Sequence, residues 1–313
     1  MPFRILRYES VEHAVQRIAG EQVDKVVSET EKVDGDSHET IHRVRKRCKM
    51  IRALIRLVRP QLREIYDLEN AWYRDSAKSL SKIRDAQTIV ESFERLMTRV
   101  EGPVDRKAYA AVRRQLIRHR ERVVEDQVDT HARLRELGER MKRGRGRLES
   151  WALEDSGFDA LASGLGGTYS QGRKAMKRAH RTPSTENIHE WRKRMTDHWY
   201  HMRLLRGVRD DVMRARRNDA DVLSHCLGDD HDLSVLREVL WACKNELDDP
   251  GALQDVFRDI SRCQLALKGE AETLGRRLLA EKRQHFVERI EGYWDVWQRD
   301  TNAQASRKIM SSR

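Results

Sequence analysis

Between residues 10 and 32 the apolar positions Val11, Ala14, Val15, Ile18, Val23, Val26 and Val27 recur every three or four residues. That spacing places them on one face of a helix. The polar run DGDSHE interrupts it, and a second helix is predicted over 38–59, ended by Pro60. Further helices are predicted over 62–80 and 84–100, then a long one over 103–142. KRGRGR, at 142–147, reads as a linker. Beyond it the periodicity predicts helices over 172–180, 186–205, 211–226, 232–247, 253–279 and 283–299, with TNAQASRKIMSSR as a frayed basic tail. No alternating pattern of the kind a strand needs interrupts the series, so the predicted class is all-α.

Composition agrees with that class. Charged residues make up 36% and aromatics 6% of 313 residues, with only 5 prolines. Such a chain can form helices with broad polar faces and still bury a core. Cys48, Cys226, Cys243 and Cys263 form no C-x-x-C pair, so neither a disulfide framework nor a zinc knuckle is expected and a reducing cytoplasm fits. MPFRILRYES lacks the apolar core of a secretory signal, and no apolar window approaches the roughly 18 residues of a membrane span. The expectation is a soluble protein without a membrane partner.

Charge changes the picture most. The net charge of +11 lies mainly in the first half, where residues 1–148 carry 34 Lys+Arg against 24 Asp+Glu. Between Ile41 and Pro60 stand eight Lys or Arg and one His with no carboxylate. His42, Arg45, Lys49, Arg52, Arg56 and Arg59 recur at spacings of 3, 4, 3, 4 and 3, so they form one row along a helix face. Ile41, Val44, Cys48, Ile51, Ile55 and Val58 repeat the same spacing one position earlier. The cationic row therefore borders the predicted core. It extends about 25 Å at 1.5 Å per residue. Like charges at i,i+4 repel by a few tenths of a kcal/mol each, and a polyanion would relieve that repulsion. Arg supplies a planar fork for two phosphate oxygens, Lys a point charge, and His a group that an anion can help to protonate.

The stripe has an echo. IHEWRKRMTDHWYHMRLLRG at 188–207 matches it without gaps at Ile188, His189, Arg192, Lys193, Arg194, Arg203, Leu204 and Arg206, 147 residues on. LSKIRD at 80–85 and LGDDHD at 227–232 share Leu and Asp at that same offset, so two separate segments keep one register. This predicts an internal duplication, with one helical bundle over 1–147 and a second over 148–313, related by a pseudo-twofold axis. The second row is weaker, because Thr196 and Trp199 stand where the first has Lys49 and Arg52. Asp85 and Asp232 read as helix caps or as groups that position arginines. Trp191 falls on the apolar stripe and is expected in the core.

In this order, HRVRKRCKMIRALIRLVRP, YRDSAKSLSKIRDAQ, GTYSQGRKAMKRA, IHEWRKR and LGDDHDL resemble the recurring segments of CHAD domains, the conserved-histidine α-helical domains, across nearly the whole chain. The resemblance implies two helical bundles around a basic cleft or pore. It also implies binding of inorganic polyphosphate, or of another polyanion, by a stand-alone member of the family on polyphosphate granules. The family's basic and histidine positions fall here on His42, Arg45, Lys46, Lys49 and Arg52, and on His189, Arg192 and Lys193. Arg56 and Arg203 extend the two rows, and Arg173, Arg118 and Arg122 are further candidates.

Two other classes compete with this one. A nucleic-acid-binding protein would use the same charge, but no recognised nucleic-acid motif occurs and few aromatics are available for stacking. An enzyme acting on phosphoanhydrides would recruit a carboxylate-held Mg²⁺, and the row carries no acids. H-E-x-x-H, Walker, G-x-S-x-G and dinucleotide motifs are missing. The expectation is therefore a non-enzymatic protein with no cofactor and no metal; the pattern leaves the oligomeric state open.

Overall fold

The computed structural model describes residues 3–310 except 33–36, 79, 101–105, 126–129 and 247–249; the side chains at 81–84, 106–108, 124–125, 250, 252 and 300–310 are also outside the described set. Eleven α-helices and no strand occur among the described residues. In the first part of the chain these are α1 (Val11–Glu31), α2 (Ser37–Leu57), α3 (Arg59–Lys78), α4 (Ser81–Arg99), α5 (Arg106–Glu125) and α6 (Thr130–Gly144). A 3₁₀ turn over Arg145–Ser150 leads to α7 (Asp159–Arg181), α8 (Thr185–Leu204), α9 (Asp210–Ala242), α10 (Pro250–Leu278) and α11 (Arg283–Met310).

Neighbouring helices pack on one another. α1 lies against α2 and α6, α2 against α3, and α4 against α5; later, α7 lies against α8 and α11, α8 against α9, and α9 against α10. α7 begins 148 residues after α1, and α8 begins 148 after α2. The two parts meet where α2 touches α7 and α8, α4 touches α9, and α5 touches α10. At the closest approach, a Cβ on Gly164 of α7 would lie 1.8 Å from the carbonyl oxygen of Leu57, so the end of α2 rests directly on the backbone of α7.

Several predicted boundaries move, each for a physical reason. α7 starts well before 172, because the glycines of SGLGGTYSQG, costly in an isolated helix, here permit close packing. Gly164 meets Leu57 and Gly172 meets the Met195 side chain. The helices predicted over 211–226 and 232–247 are one continuous α9. Its Asp229, Asp230 and Asp232 sit mid-helix and bond cationic side chains instead of capping a start. Pro60 does not end α2, which stops at Leu57; it lies in the first turn of α3, where a missing N–H costs nothing. α3 then kinks at Arg63, whose φ is +45°. Of the long helix predicted over 103–142, α5 and α6 are described and 103–105 and 126–129 lie outside the described residues; the tail stays helical through Met310. KRGRGR is no loose linker: Arg145 Nε is 3.0 Å from Asp24 Oδ1, and Arg147 Nε donates to the buried Glu69 at 2.7 Å.

Candidate functional site

α2 carries the apolar row inward as its spacing requires. Ile41, Val44, Cys48, Ile51, Ile55 and Val58 are all fully buried. Burial pushes the Cys48 thiol up to about 12 against the opposing pull of Arg52 and Arg45, which leaves it an inert core residue. Trp191 is buried as well, and Trp199 packs half-buried against the core beneath Arg203.

Beside that row the cations are treated unequally. Tertiary structure brings carboxylates to a stripe that has none in its own sequence. Arg56 is ion-paired with Asp197 of α8, both largely buried. Arg45 lies 3.7 Å from Asp85 of α4 and donates to the Ala77 carbonyl at 3.3 Å. Arg47, next to the row, reaches Glu29 of α1 at 3.2 Å. Arg52 instead donates to the neutral Asn70 side chain of α3 at 3.0 Å. Among the described residues Lys49 and Arg52 have no carboxylate in ion-pair contact. His42 and Lys46 are exposed on the same helix.

Lys49 is the centre of the arrangement. Its side chain keeps access to solvent although protein crowds around it. Burial first, and then Arg192, Arg45 and Arg52, push its amine down to about 8, with only Asp232 pulling the other way. Arg192 belongs to α8, so basic residues from both parts of the chain act on one amine. Arg52 is likewise drawn down by burial and then by Arg56.

On α8, Arg192 is held 3.4 Å from Asp232 of α9, and Arg95 of α4 reaches the same carboxylate at 3.3 Å. Arg95 and Arg99 also bind Asp229, at 3.3 and 2.7 Å. Asp85 and Asp232 thus position arginines, in pairs 147 residues apart: Arg45 with Asp85, and Arg192 with Asp232. His189 packs against His231 with ring centroids 4.5 Å apart, and the buried Nδ1 atoms of both have no hydrogen-bond partner among the described residues. Burial, then His231, Lys193 and Arg192, push His189 down to about 4, so it is neutral at pH 7. Lys193 is exposed, 3.6 Å from Glu190.

The remaining candidates lie in other surroundings. Arg203 sits over Phe3 and Trp199, with ring centroids at 5.4 and 5.6 Å. Arg173 acts on the Tyr169 hydroxyl together with Arg216. Arg122 pairs with Glu246 at 3.0 Å, and Arg118 acts on that same carboxylate. The structure therefore gathers Arg45, Lys49, Arg52 and Arg192. Arg95 and Arg99, which bridge to α9, carry no periodic signal of their own in the sequence. Among the described residues no group of three His, Cys, Asp or Glu side chains could hold a metal ion. No described helix is long and apolar enough to cross a membrane.

The family model of the CHAD domain matches residues 17–241. That covers well over half of the 313 residues, and the chain belongs to the CHAD domain family. Comparison with curated proteins finds no match.

Proposed function

We propose that this CHAD protein binds inorganic polyphosphate, without transforming it, in a basic cleft centred on Lys49 and formed by two copies of one helical unit. The observation that carries the reading is the convergence of Arg45, Lys49 and Arg52 from α2 with Arg192 from α8, with Lys49 itself in no ion-pair contact with a carboxylate among the described residues. Crowding cations stores unfavourable energy that a linear polyanion releases, and each guanidinium can present two N–H groups to phosphate oxygens. Lys46, His42, Lys193 and His189 extend the same surface along α2 and α8; His189, neutral in the free protein, would gain a proton beside an anion.

The two-copy reading is supported by the repeated order of packed helices and by the Arg45–Asp85 and Arg192–Asp232 pairs at one offset. The unequal rows are consistent with it: Met50 stands 147 residues before Asp197, so Arg203 meets no counterpart of the carboxylate that holds Arg56. A non-enzymatic role is favoured because Asp85, Asp197 and Asp232, carboxylates that touch the rows, are engaged by arginines instead of being open to Mg²⁺. Association with cytoplasmic polyphosphate granules would follow from the same binding. The nucleic-acid alternative draws on Trp241, 59% exposed with Lys244 4.1 Å above its ring, a platform on which a base could stack.

The test is binding of long-chain polyphosphate at near-physiological salt, in competition with RNA at equal phosphate concentration. The Arg45→Ala/Lys49→Ala/Arg52→Ala variant is compared with the wild type. Preference for polyphosphate, a steep fall with salt and loss in a folded variant support the proposal. Equal competition by RNA, or unchanged binding by the variant, refutes it.

A further inference from the structure

Lys49 combines three properties seldom found together: solvent access, no ion-pair partner among the described residues, and guanidinium groups on its flanks. Arg45 and Arg52 stand at i−4 and i+3 on the same helix face, and Arg192 arrives from α8. This surrounding is built for a phosphate group next to an amine. We propose that Lys49 is a site of direct acylation by acyl phosphates, small metabolites that join an activated acyl group to a phosphate. The inference rests on the reading of this cluster as a phosphate site.

The step balances without another reactant. The arginines hold the phosphate of the acyl phosphate, which places its carbonyl carbon beside Nζ. The Nζ lone pair forms the new C–N bond, and the C–O bond to phosphate breaks, its electron pair leaving on inorganic phosphate. The amine proton passes to the departing phosphate or to water. The guanidinium groups stabilise the oxyanion of the tetrahedral intermediate and the leaving dianion. With its amine pushed down to about 8, Lys49 is neutral and nucleophilic at pH 7.5 far more often than an ordinary lysine. Acylation removes the central charge of the cluster and so provides a switch for polyanion binding.

Lys46 and Lys193 are internal controls, because both are exposed lysines close by in sequence to the cluster residues. The full-length protein is incubated with acetyl phosphate at pH 7.5, and acetylation at each lysine is followed in time by peptide mass spectrometry. Lys49 is expected to react at least tenfold faster than Lys46 and Lys193. Tripolyphosphate should suppress that reaction more strongly at Lys49 than at Lys46 and Lys193, and N-acetoxysuccinimide, an acyl donor without phosphate, should show a smaller preference. Arg192→Gln should slow Lys49 several-fold and leave Lys46 unchanged; if that variant unfolds, the wild-type ratio and its protection by tripolyphosphate decide. Equal rates at the three lysines, or no protection, overturn the inference.

Long-chain polyphosphate binding is measured on the same preparation. Binding without selective acetylation sinks this inference alone. Selective, phosphate-protected acetylation without long-chain binding sinks only the polyphosphate reading.

Discussion

Replacing Asp197 with Asn is expected to cost stability, because Arg56 then keeps its charge in a largely buried place with no counter-ion. The two side chains are 10% and 16% exposed, and burial is the largest single influence on Arg56, outweighed in the native protein by Asp197 and Tyr66. Breaking one partner of a fully buried pair costs about 3–5 kcal/mol. Residual exposure lowers that figure, and Arg194, 3.8 Å from Asp197, still keeps Glu190. About 2–3 kcal/mol is therefore expected for Asp197→Asn. Urea unfolding followed by far-ultraviolet circular dichroism measures it. The companion variant Arg56→Met/Asp197→Leu removes both charges and should recover most of the loss, since an apolar pair of similar volume can replace a buried ion pair. A cost below about 1 kcal/mol for Asp197→Asn, or a double variant no better than the single one, would refute the claim that this pair ties α2 to α8.

Other consequences concern the same helix contacts. His201 lies fully buried with Nε2 3.0 Å from the Ala53 carbonyl; a carbonyl only accepts, so Nε2 carries the proton and donates. Burial pushes this histidine down to about 4, so the unfolded chain takes up a proton first as pH falls. Its contribution is present in full above about pH 6.5 and is lost as pH drops toward 4, a loss to which His189 and His198 add in the same direction. In His201→Gln the stability curve over that window should become shallower by about one proton, and an unchanged slope would remove His201 from the account. Gly164→Ala should destabilise by about 3 kcal/mol, because its Cβ meets the Leu57 backbone oxygen, which no rotamer change can move; a neutral result in thermal unfolding would show that α7 can shift away from α2.

The local pattern decided the helical class, the buried row from Ile41 to Val58 and the cationic row beside it, because 3.6 residues per turn converts spacing directly into a face. It also marked Asp85 and Asp232 as helix caps or partners of arginines, and the offset of 147 that both Arg–Asp pairs obey. What it could not contain is which cation meets which carboxylate. Asp197 lies 141 residues from Arg56, and Asp229 lies 130 from Arg99, so these contacts depend on how α8 and α9 settle against α2 and α4. Glycine shows the same limit: in sequence it weakens a helix, yet in α7 it permits the contact with Leu57. Periodicity tells each residue which way to face. Only the packed helices decide that Arg56 is neutralised by Asp197 while Lys49 stands among cations, because long-range electrostatics and close backbone approach are properties of neighbours in space.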